Sequence, residues 1–63
     1  MNTQEKQALL IRYADYIDKA EEAEALALLA RDEEARKNLR NVARGWRHLA
    51  EQVKWWLERD IGN

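Results

Sequence analysis

Leu28-Leu29-Ala30-Arg31-Asp32-Glu33-Glu34-Ala35 lies at the middle of the chain and decides between one long helix and two. No glycine or proline marks a break there, so the decision rests on hydrophobic phase. Upstream, Leu9, Tyr13, Tyr16, Ala20, Ala23, Ala27 and Ala30 recur in steps of four and three, with Leu10, Ile17 and Leu28 along one edge. That spacing keeps one face of a helix towards a partner. Continued in phase, it would bring Glu34, Lys37 and Asn41 into the core. Instead a second stripe starts one residue out of step: Ala35, Leu39, Val42, Trp46, Leu49, Val53, Trp56, with Ala43, Ala50 and Leu57 in the adjacent column. A single unbroken helix in a long coiled coil is the rival, and it strands one stripe on the wrong side. Asp32 is a good N-cap, and Glu33 and Glu34 suit the positive first turn of a new helix. At the other end, Asn2-Thr3-Gln4-Glu5 offers a capping side chain with a glutamate three residues on. The spacing predicts one domain over 1–63, with helices over about 3–30 and 33–60 and a turn at about 30–32.

A chain of 63 residues buries a small share of its surface and usually needs a staple. It has no cysteine and a single histidine, His48, so disulfides, thiolate zinc and a multi-histidine site within one chain are excluded. Oligomerisation is left. The expected fold is all-α: an antiparallel helical hairpin, two copies of which form a four-helix bundle. The alanines of the first helix would then face the tryptophans and leucines of the second, small against large. Eleven basic and twelve acidic residues give a net charge of -1, so bulk charge favours neither nucleic acid nor an acidic tail. No apolar run reaches membrane-span length, and the polar N-terminus does not read as a signal peptide. A cytoplasmic, soluble protein is expected.

The seam for core and dimer is Leu9, Tyr13, Tyr16, Ala20, Ala23, Ala27, Leu39, Val42, Trp46, Leu49, Val53 and Trp56. Adjacent Trp55 and Trp56 point about 100° apart on a helix, so only Trp56 continues that seam. Trp55 shares the column of His48 and either caps the bundle end against the other chain, over Ile11, or awaits a partner. With Ile11, Leu26 and Leu29 it makes a candidate partner surface. Arg40, Arg44, Arg47 and Lys54 form a basic side of the second helix, readable as an RNA-binding stripe or as a solvated face paired to acidic residues. In a hairpin turning near residue 31, Asp15, Asp18, Glu21 and Glu24 lie at the heights of Arg47, Arg44, Arg40 and Lys37. His48 and Glu51 stand in the reverse of the Glu-x-x-His order of di-iron bundles and read as solvated. With no Gly-rich loop and no nucleophile beside a base, no catalysis and no cofactor are expected. Gly45, inside the second helix, reads as room for a large neighbour such as Tyr16 or Trp46, ahead of the alternative that a partner backbone approaches closely there. A membrane-surface role for the Trp- and Lys-bearing C-terminal turn ranks behind these.

Lys19-Ala20-Glu21-Glu22-Ala23-Glu24-Ala25-Leu26-Ala27, then Asp32-Glu33-Glu34, Leu39, Ala43, Trp46 and Leu49-Ala50-Glu51, resembles a group of short uncharacterised bacterial helical-hairpin proteins over residues 19–52. That resemblance implies the hairpin and no activity. The length, the opening Gln4-Glu5-Lys6 with Ala8-Leu9, and Asp32-Glu33 at the turn are similar to the Rop family of plasmid RNA-binding regulators. Rop-like architecture implies a dimeric four-helix bundle. The family's RNA face centres on an aromatic of the first helix flanked by Asn, Gln and basic residues. Here Tyr13 and Tyr16 stand among Asp15, Asp18, Glu21 and Glu22, which repel phosphate. Any RNA binding would move to the second helix.

Overall fold

The structure is a computed structural model describing the backbone of residues 2–62 and the side chains of residues 2–59. Helix α1, Thr3–Leu29, and helix α2, Glu33–Gly62, pack against each other as an antiparallel hairpin.

Each start has a side-chain cap. Asn2 Oδ1 accepts from the Glu5 amide at 2.8 Å, and the Asp32 carboxylate accepts from the Ala35 amide at 3.1 Å. The end of α1 uses no left-handed residue. Ala30 is extended (φ -68°, ψ 131°), and its amide donates back to the carbonyls of Leu26 and Ala27. From the first turn of α2, Arg36 reaches back to donate to the Ala30 carbonyl at 2.9 Å. The same guanidinium pairs with Glu33 at 3.1 Å. A turn without glycine thus closes because one arginine satisfies an end carbonyl of α1 from the helix that follows. Asp32→Ala should cost about 1 kcal/mol, read as a melting temperature lower by roughly 4–8 °C for a domain of this size.

The molecule measures 47 × 16 × 10 Å, so it is about one helix thick. Among the described residues, only short side chains lying between the two axes are covered on all sides. Those buried are Ala20, Ala23 and Ala27 of α1, and Ala43, Ala50 and Val53 of α2. The seam is therefore small against small, not the small-against-large packing expected. Alanine on both helices permits close approach, and α2 turns the Ala43–Ala50 column inward. Leu39, Trp46 and Leu57 fall beside that line, half-buried. Val42, Leu49 and Trp56 lie further round on an edge, 49%, 38% and 55% exposed. Trp46 stacks on Tyr16 (centroids 5.6 Å, planes 31° apart), with Lys19 Nζ 5.6 Å from its ring centre.

Gly45 corrects an expectation. Leaving aside its chain neighbours and its own helical backbone, a methyl added there meets no atom within 4 Å, so Tyr16 does not occupy the space beside it. Glycine inside a helix costs about 1 kcal/mol relative to alanine, and nothing within the hairpin accounts for that cost.

Candidate interaction surface

The antiparallel pairing leaves two long edges of different chemistry. Along one, α2 presents Val42, Gly45, Leu49, Gln52 and Trp56, at successive steps of three and four. A groove of about 370 Å³ follows its lower half, lined by Leu9, Arg12, Tyr16, Leu49, Gln52, Val53 and Trp56. Lys19 marks the same edge through its contact with Trp46. Leu26 comes seven residues later, two helical turns on the same side of α1, and is 48% exposed. The surface is apolar on α2 and mixed on α1, where Arg12 and Lys19 interrupt it. Lys19 is itself held by Asp15 at 2.9 Å, and that hydrogen bond raises its pKa above the usual lysine value.

The Trp pair ends this edge. The two rings meet edge-to-face, with centroids 4.9 Å apart and planes at 84°. Arg59 lies 4.5 Å over the Trp55 ring, a cation–π contact. Within the chain Trp55 therefore packs on Trp56, and both rings stay about half exposed. The hollow around them is lined by Glu51, Gln52, Lys54, Trp55, Trp56 and Glu58, all from α2. A small molecule there would have walls on one side only. The other members of the candidate partner surface are dispersed. Ile11 and Leu29 are both well exposed on α1, but 18 residues, or about 27 Å, separate them along its axis.

The opposite edge carries a charged pair beside the exposed Leu10 and Leu28. Arg47 grips Glu24 in a two-pronged pair, Nε to Oε2 at 3.0 Å and an Nη to Oε1 at 2.7 Å. Helical side chains lean towards their own N-terminus. On antiparallel helices Arg47 and Glu24 lean towards each other, so Arg47 finds Glu24 and not Asp15. The hydrogen bond from Arg47 holds the Glu24 carboxyl below the ordinary glutamate value. A depressed pKa stabilises the fold above the unfolded glutamate pKa, and the contribution is lost as pH falls through the folded value. Glu24→Gln should therefore lower the melting temperature slightly at neutral pH and not at all in strong acid, because the pair is exposed. Thermal melts of both proteins across the acid range check this.

The basic stripe divides. Arg47 is committed to Glu24, and Lys54 lies 3.9 Å from Glu58. Arg40 and Arg44 are exposed and make no ion pair among the described residues. His48 Nε2 meets the Gln52 amide nitrogen at 3.3 Å, and among the described residues no three His, Asp or Glu side chains gather as a metal site. No helix among the described residues is long and apolar enough to cross a membrane.

No protein-family model, curated protein or solved structure matches this chain. Its surfaces are left to speak for its function. The residues that reading by sequence passed over are Gln52 and, as part of an edge, Gly45. The signal for both was the spacing 42, 45, 49, 52, 56, a second seam beside the first.

Proposed function

We propose that two copies of the hairpin pair into a four-helix bundle that works as a protein interaction module, an adaptor, regulator or inhibitor without catalytic activity. The observation that carries this is the edge column of α2, where Val42, Leu49 and Trp56 keep 38–55% of their surface in water. Several large apolar side chains aligned on so small a chain call for a cover, and a second hairpin supplies one of matching length. Coupled folding and association makes stability depend on concentration. The melting temperature should rise by several degrees for each tenfold increase in protein. A melting temperature independent of concentration contradicts the dimer.

A second reading, a Rop-like RNA-binding regulator, is favoured by Arg40 and Arg44, which are exposed and have no carboxylate partner among the described residues. Binding to structured RNA should then be strong at low salt, fall steeply as salt rises, and vanish in Arg40→Glu/Arg44→Glu. Absence of binding at low salt rules it out.

A further inference from the structure

Gly45 stands in the interior of α2 with open space where a side chain would be, and it lies on the same column as the half-exposed Trp56. Val42, Gly45, Leu49, Gln52 and Trp56 have the three-four spacing of residues that face a second helix along a coiled-coil seam. We infer that a second copy of this chain covers this edge, antiparallel, with the Trp56 ring of each copy filling the gap left by Gly45 of the other.

The assignment rests on the dimer proposed above and gives it a face and a register. Gly45 and Trp56 are 11 residues apart, about 16 Å along the axis. A two-fold axis midway between them sets each Trp56 opposite Gly45 of the other copy, and each Leu49 opposite Gln52. Two-fold interfaces require such self-complementarity: one patch must carry both the projection and the hole. A parallel pairing sets Gly45 against Gly45 and Trp56 against Trp56, leaving a void at one layer and a collision at the other. The area also fits. The single chain exposes 5086 Å², against about 4,250 Å² for a compact monomer of its mass. The excess of about 800 Å² is one partner's share of a standard interface. With a net charge of -1, two copies meet without strong repulsion.

The test is a mutant cycle on the full chain, with dimer dissociation constants from sedimentation equilibrium for wild type, Gly45→Leu, Trp56→Ala and the double variant. Each single change should weaken the dimer about tenfold or more, by filling the hole or removing what fills it. The double variant, with leucine in place of the ring as filler, should bind more tightly than either single variant. Leucine is a better helix former than glycine, so undiminished helicity by circular dichroism in Gly45→Leu separates lost association from lost folding. A wild-type dimer in which Gly45→Leu binds undiminished, or in which the two losses simply add, overturns the lock and leaves the dimer standing. A monomeric wild type overturns the dimer itself, and the lock with it.

Discussion

Ala43→Leu should melt roughly 4–24 °C below wild type. Ala43 is buried at the line where two alanine faces meet, and a leucine there has no slack to occupy. Overpacking of this kind costs about 1–3 kcal/mol, occasionally more. A chain of this length has a total stability of roughly 3–9 kcal/mol, and each kcal/mol moves its melting temperature by about 4–8 °C. The control is Ala25→Leu, at an exposed position of α1, which should change the melting temperature by only a few degrees. Thermal circular dichroism on both variants decides the matter. If they melt alike, α2 does not present the Ala43–Ala50 column to α1.

Leu49→Glu should dissociate the dimer while leaving the hairpin folded. In the single chain Leu49 is 38% exposed, so a carboxylate there keeps access to water and the intrachain seam is undisturbed. In the paired bundle the same carboxylate would lose its water for the neutral Gln52 amide of the other copy alone, an exchange costly enough to weaken association about tenfold or more. Sedimentation velocity beside circular dichroism reads both halves of the expectation. A Leu49→Glu protein that dimerises as tightly as wild type would move the interface elsewhere. The other edge, where Leu10 and Leu28 are also exposed, is then the candidate.

Much of the hairpin was legible in the sequence because its signals are local. The phase slip between Ala30 and Ala35 marks two stripes, and Asp32 and Asn2 cap the helix starts as their residue types foretell. The rotation of α2 was not legible. Both columns, Val42–Leu49–Trp56 and Ala43–Ala50–Leu57, satisfy a helical period. The choice between them depends on how closely two particular faces approach. That is a property of the pair, with alanines on α1 selecting alanines on α2. The Arg47–Glu24 pair was hidden for a related reason. Height along the hairpin suggested Asp15, but the lean of long side chains shifts partners by more than a turn. Arg36 illustrates the same limit, since its capping of Ala30 needs the turn to have formed first. The edge surface lay between these cases. Its spacing was written in the sequence, yet its members became a surface only once Ala43 and Ala50 had claimed the inner face.

The central claim is that this edge is covered by a second copy. Sedimentation equilibrium of the unmodified chain, from micromolar to sub-millimolar concentration, tests it most directly. The predicted result is a single species at twice the 7.5 kDa chain mass at the upper end, dissociating on dilution. A mass of one chain throughout, with full helicity, would contradict it.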